Sequence, residues 1–289
     1  MIRTRFHILG LLILLPLLGG CASLALRLNP SLLTNMTRSL FEECDTELAR
    51  EALPGSLKML EGLLKSDSQN RQILASLSMG FGGYALLFLE ADDPARASHF
   101  YRRSREYGVR ALGSKGDSLK DPETPEPQVQ ALMAALGPED LDALFWTSFS
   151  WNGWISLNLD KPSAIAQLAP SQACLKRVIE IDGSYFHGLP CILEGVLLSA
   201  RPLLLGGERE KARARFEEAL EVSRRKFFPA QYYYARYYAV AVQDRELFLS
   251  LLSEIIHGNP QELKEVCLIN TVMQHKAVML ARQAQELFF

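Results

Sequence analysis

Histidines, cysteines and carboxylates are all present in this sequence, but none stands in a spacing that completes a catalytic or metal-binding constellation. His99, His187, His257 and His275 are scattered. None belongs to an H-E-x-x-H pair, the helical spacing that puts two imidazoles on one metal ion. No C-x-x-C or Cys/His ligand spacing occurs, so the sequence calls for no metal. There is no G-x-S-x-G, whose sharp turn would expose a nucleophilic serine, and no glycine-rich loop to cradle a phosphate. Carboxylates such as Glu217 and Glu218 read as a solvated helix face. The sequence therefore points away from an enzyme and needs no cofactor.

What the side chains do offer is thiol chemistry and aromatic surface. Cys21 follows Leu18-Gly19-Gly20 directly. Before it come Arg3 and Arg5 and then an almost wholly apolar run from Ile8 to Leu18, the layout of a secretory signal peptide. The run is too short to be a spanning helix of about 20 residues. Leu18-Gly19-Gly20-Cys21 resembles the lipobox of bacterial lipoproteins, in which small residues admit the signal peptidase and the thiol receives the lipid. Acylation there supplies more than one chain, as stable anchoring requires. Ala22 and Ser23 follow where an inner-membrane lipoprotein of this kind carries Asp, so the resemblance favours the periplasmic face of the outer membrane. Four cysteines remain: Cys44, Cys174, Cys191 and Cys267. In an oxidising compartment they could pair in three ways. Cys174 and Cys191 flank a turn near Gly183 and could face each other across a helical hairpin. All four could equally be small buried hydrophobes.

The aromatics form two clusters. Phe145, Trp146 and Phe149 share one helix face, with Trp151 and Trp154 on the opposite side at about 100° per residue. A helix apolar on both faces is sandwiched or lines a cavity. Tyr232, Tyr233, Tyr234, Tyr237 and Tyr238 crowd a second helix, where Tyr233 and Tyr237 share a face beside Arg236. Each phenol wants a partner or water. Taken singly, such residues are core between helix pairs. As a set, Trp146, Phe149, Trp154, Tyr233, Arg236 and Tyr237 suggest an aromatic-lined ligand cleft.

The elements that would position them are helices. Nearly every segment has helical periodicity, β-branched residues are sparse, and Pro54, Pro94, Pro138, Pro162, Pro229 and Pro260 each precede or open a periodic run. The pattern predicts successive hairpins. Thr46 to Leu53 pairs with Pro54 to Ser66, Asn70 to Glu90 with Pro94 to Leu112, and Glu139 to Leu159 with Ser171 to Ile181. Tyr185 to Leu204 then pairs with Glu208 to Arg224, and Pro229 to Val242 with Arg245 to His257, before a last helix from about Gln261 to Leu287. Residues 113–127 read as a polar loop insertion, with a short extra helix from Gln128 to Leu136. Residues 1–20 are the signal peptide and 21–289 one helical repeat domain. Its net charge is near −4, because the whole chain carries 31 basic and 33 acidic residues and loses Arg3 and Arg5. That leaves no basic excess to attract nucleic acid.

An internal repeat decides the fold class. Asp67, Ala97, Tyr101 and Ser104 are matched 115 residues later by Asp182, Ala212, Phe216 and Ala219. Lys211 to Leu220 (KARARFEEAL) resembles the second helix of a tetratricopeptide repeat, with Gly206-Gly207 at the turn before it. Small residues there let paired helices approach closely, and the aromatic fills the gap between pairs. The expected fold is all-α, a tetratricopeptide-like array of helical hairpin repeats (an α-solenoid).

Several stretches in their order and spacing carry a wider resemblance. They are Asp45 to Leu64 (DTELAREALPGSLKMLEGLL), Phe145 to Leu168 (FWTSFSWNGWISLNLDKPSAIAQL), Arg201 to Leu220 (RPLLLGGEREKARARFEEAL), Asp244 to Leu252 (DRELFLSLL) and Leu268 to Ala281 (LINTVMQHKAVMLA). Across almost all of the mature chain the sequence resembles the T-component lipoproteins of tripartite ATP-independent periplasmic (TRAP) transporters. The resemblance implies an all-helical repeat fold, a lipid anchor holding the chain to the membrane, and no catalysis. It also implies partnership with the periplasmic solute-binding protein of the transporter, in some members through a homotrimer ringed about a central pore. The function expected is an adaptor that docks this partner and handles an apolar or amphipathic organic ligand. The alternative is a scaffold that organises envelope proteins without a ligand. Pro190 and the extra cysteines depart from the family pattern.

Overall fold

The structure, a computed structural model, describes residues 31–121, 124–200 and 208–288. Cys21, the apolar run before it and Gly206-Gly207 lie outside these residues. The described residues are predominantly helical, with no strand among them.

The first helices are α1 (Ser31–Phe41), α2 (Thr46–Ser66), α3 (Arg71–Tyr84) and α4 (Pro94–Ala111). Side-chain caps set their starts. Asp45 accepts from the amides of Glu47 and Leu48, Asn70 from that of Ile73, and Asp93 from that of Arg96 beside Pro94. Pro54 does not open a helix as the sequence suggested: α2 runs straight through it. The proline removes the donor that would serve the carbonyl of Arg50, and the Tyr84 hydroxyl donates to that carbonyl instead at 3.4 Å.

After a 3-10 segment (Gly113–Leu119) come α5 (Glu126–Ala135), α6 (Leu141–Ser156), α7 (Pro162–Ile165) and α8 (Leu168–Asp182). The insertion is thus partly ordered and packed rather than an open loop. Leu119 is buried, and Lys115 donates to Asp140 at 2.7 Å. Helices α2, α3, α4, α6 and α8 form successive packed neighbours. Gly82 of α3 makes the close approach to α4 and α6: a Cβ there would lie 2.7 Å from Ser150 Oγ and 3.0 Å from Ser104 Oγ.

The next helix, α9 (Tyr185–Ala200), begins with a left-handed turn at Phe186, His187 and Gly188. Gly188, at φ 82°, packs against the Ala219 backbone. Pro190 therefore falls just after the turn and breaks nothing. The chain continues through α10 (Arg209–Val222), α11 (Phe228–Tyr233), α12 (Val240–Val242) and α13 (Arg245–His257). The expected last helix is split into a 3-10 segment (Pro260–Val266), α14 (Cys267–Arg282) and α15 (Ala284–Leu287).

Helix α14 packs back on α1 and α2, so the two ends of the array meet. A disulfide between Cys44 and Cys267 fastens them. Cys174 and Cys191, expected to face each other, are instead free and buried. Burial pushes both thiols up to about 12, which leaves them inert. The paired positions Ala97 and Ala212, Tyr101 and Phe216, Ser104 and Ala219 are all buried.

Candidate functional site

Where the ends of the array meet, the helices enclose a cavity of about 750 Å³. Its wall draws on α2, α4, α6, α9 and α14, and on two stretches where a helix widens into π-helical turns, Ala85–Leu89 after α3 and Tyr234–Ala239 after α11. Each π turn adds a residue to the helix register. Such bulges persist where they re-aim side chains. The first leads to Glu90. The second carries Arg236 and Tyr237 toward the space.

One side of the wall is aliphatic: Leu189, Ile192, Leu193 and Val196 of α9 with Met279 and Leu280 of α14. Another part of the lining is aromatic. Tyr233 and Tyr237 are stacked with ring centroids 6.0 Å apart, and Tyr232 meets Tyr233 edge-on at 5.3 Å. Phe149 closes one corner against Tyr101.

Charged groups sit on the same wall. Tyr101 Oη donates to Glu90 Oε1 at 2.5 Å. Lys276 Nζ donates to the Leu86 carbonyl at 2.8 Å, across 190 residues of sequence. Arg236 Nη1 donates to Tyr232 Oη at 3.2 Å, and its guanidinium lies 5.8 Å from the Tyr237 ring centroid. Burial pushes the Glu90 carboxyl up, against the lowering effect of the Tyr101 hydroxyl and of Lys276 and Arg236. Burial pushes Lys276 down, against the charge of Glu90. The phenols of Tyr101 and Tyr233 are held protonated, first by burial and then by the Glu90 charge. The wall therefore presents no activated nucleophile. It presents apolar and aromatic surface together with a few polar and charged groups, the composition usual for small-molecule sites.

Of the residues expected in a cleft, Phe149, Tyr233, Arg236 and Tyr237 line this cavity together. Trp146 does not. It is only 4 % exposed and packs in the core against Phe145, Phe149 and Phe186, because α6 is buried on nearly all sides. Trp154 is half-buried against the core and also lies off the cavity wall. Sequence reasoning missed Glu90 and Lys276. The available signal was a single charge closing or interrupting an apolar run, ALLFLE in one case and TVMQHKAVML in the other. Among the described residues no three His, Cys, Asp or Glu side chains converge as metal ligands.

Against known families, residues 42–288 match the one described as the TRAP transporter T-component. No curated protein matches the chain.

Proposed function

Because this chain belongs to the TRAP transporter T-component family, we propose that it acts as a non-enzymatic, lipid-anchored adaptor that docks the solute-binding protein of the transporter and holds an organic ligand in its central cavity. Membership itself carries a role in a TRAP transport system, beside the other parts of that transporter and in the bacterial envelope. It is a family of transporter components not known as enzymes.

In this reading Cys21 carries the lipid and tethers the chain to the periplasmic face of the outer membrane. The hairpins form a tetratricopeptide-like array, a reading supported by the burial of Ala97, Tyr101 and Ser104 together with their counterparts 115 residues on. The homotrimer belongs to the same reading. The observation that carries the ligand role is a cavity of about 750 Å³, a size usual for small-molecule sites, with aromatic and charged groups on one wall.

The test uses the mature chain and a purified TRAP solute-binding protein from the same organism, mixed and followed by sedimentation velocity with and without a cavity-filling substitution. Association would support docking, and its absence at high concentration would sink it. A chain that associates but binds no small molecule would be a scaffold.

A further inference from the structure

Building on the reading of the cavity as a ligand site, we infer that the ligand is an amphipathic organic anion, its charged end held by Arg236 and Lys276 and its apolar body lying between the tyrosines and α9. Two cations share this wall, close enough that the charge of Arg236 opposes that of Lys276. Among the described residues, neither is in an ion pair, and neither is Glu90. Each cation has one protein acceptor, Tyr232 Oη for Arg236 and the Leu86 carbonyl for Lys276. Both have donors to spare, since a guanidinium carries five N–H groups and an ammonium three.

Of the other charged residues on the lining, Glu47 is exposed. Arg50 and Asp92 pair with each other at 3.7 Å. Glu90 is engaged by Tyr101, and burial favours its neutral form. Arg236 and Lys276 therefore have donors to offer an anion at the cavity, and the anion would relieve the burial that disfavours the Lys276 ammonium. The rest of the wall decides the body of the ligand. Leu193 and Val196 line the same cavity as the stacked Tyr233 and Tyr237, which gives an apolar body aliphatic and aromatic surface to pack on.

The experiment compares two fluorescent probes with the same body, 1-anilinonaphthalene-8-sulfonate and the neutral N-phenyl-1-naphthylamine, on the mature chain. The sulfonate should bind roughly tenfold or more tightly than its neutral counterpart, as expected for a charge-assisted contact away from bulk water. Arg236→Gln and Lys276→Gln should each remove most of that preference while leaving the neutral probe unchanged. Lys276→Arg should keep it, and remains informative if Lys276→Gln folds poorly. Val196→Trp, which fills the cavity, should abolish binding of both probes while the melting temperature holds. Equal binding of the two probes, insensitive to Arg236 and Lys276 but lost in Val196→Trp, would overturn the anion assignment and leave the cavity as a ligand site. Failure of both probes to bind, or binding that survives Val196→Trp, would overturn the cavity reading and the anion with it.

Discussion

Cys44, in the turn before α2, is bonded to Cys267, the first residue of α14, across 223 residues of sequence. The bond ties together the two ends of the array at the place where they enclose the cavity. A cross-link of that span removes loop-closure entropy from the unfolded chain and is worth about 2 to 5 kcal/mol. Cys44→Ser or Cys267→Ser should therefore lower the melting temperature, by something on the order of 10 °C. Reductant should do the same to the parent chain and nothing further to either variant, because Cys174 and Cys191 are already free thiols. Equal melting temperatures with and without reductant would show that the helices hold the ends together unaided.

Trp146 and Tyr237 were legible as one aromatic set, but the structure separates them into core and cavity wall. Trp146→Ala empties a filled site and should cost about 3 to 5 kcal/mol. Tyr237 is partly uncovered where it faces the cavity. Tyr237→Ala should cost about 1 kcal/mol, since most of the space it vacates is already open. Denaturant unfolding of the two variants side by side checks the ranking, and equal losses would mean that the wall at Tyr237 is packed as tightly as the core.

The sequence carried the all-helical character of the chain because that depends on local patterns. Helical periodicity, the capping residues Asp45, Asn70, Asp93 and Asp244, and proline at helix starts all act within one turn. It failed where the deciding partner is remote. Pro54 looks like a break until Tyr84, 30 residues on, takes the Arg50 carbonyl. Residues 113–119 look like open loop until Asp140 captures Lys115. Cys44 finds Cys267 only once the array has closed. The same limit applies to the cavity. The tyrosines announce themselves by crowding, whereas Glu90 and Lys276, each a lone charge in an apolar run, matter only because a π turn and the meeting of the two ends bring them to one cavity.

Asp140 is the anchor of that insertion. Its carboxylate is almost fully covered and accepts from Arg71 Nη2 and Lys115 Nζ, each at 2.7 Å, and from the Gly137 amide at 3.2 Å. Burial pushes the carboxyl up, but these donors outweigh it and hold its pKa below the ordinary value. A depressed carboxylate stabilises the fold above its unfolded pKa of about 3.9, and that stability is lost as pH falls through the folded value. Asp140→Asn should therefore cost about 1 to 3 kcal/mol at pH 7. The gap from the parent chain should narrow below about pH 4. Urea unfolding at pH 7, 5 and 3.5 tests this, and a gap that stays constant with pH would mean that the ionised form contributes nothing.

Glu90 reverses the sign. Burial raises its folded pKa above the unfolded value of about 4.3, with the Tyr101 hydrogen bond working against the shift. Between those two values the native state holds a proton that the unfolded chain has lost, so stability falls as pH rises through that window. Glu90→Gln keeps the shape and an acceptor for Tyr101 without the charge. It should make the protein more stable at neutral pH, with a gain that vanishes below about pH 4. Where ionised, Glu90 opposes an anion bound by Lys276, whose charge it already feels, and the same substitution removes that opposition. If the cavity holds an organic anion, Glu90→Gln should also tighten binding of the sulfonate probe and leave the neutral probe unchanged. The two readouts separate the two roles. A less stable Glu90→Gln protein at pH 7 would mean that the ionised Glu90–Tyr101 contact outweighs its burial. Unchanged sulfonate affinity in a stabilised Glu90→Gln protein would mean that Glu90 is already neutral at pH 7 or lies too far from the bound head group to oppose it.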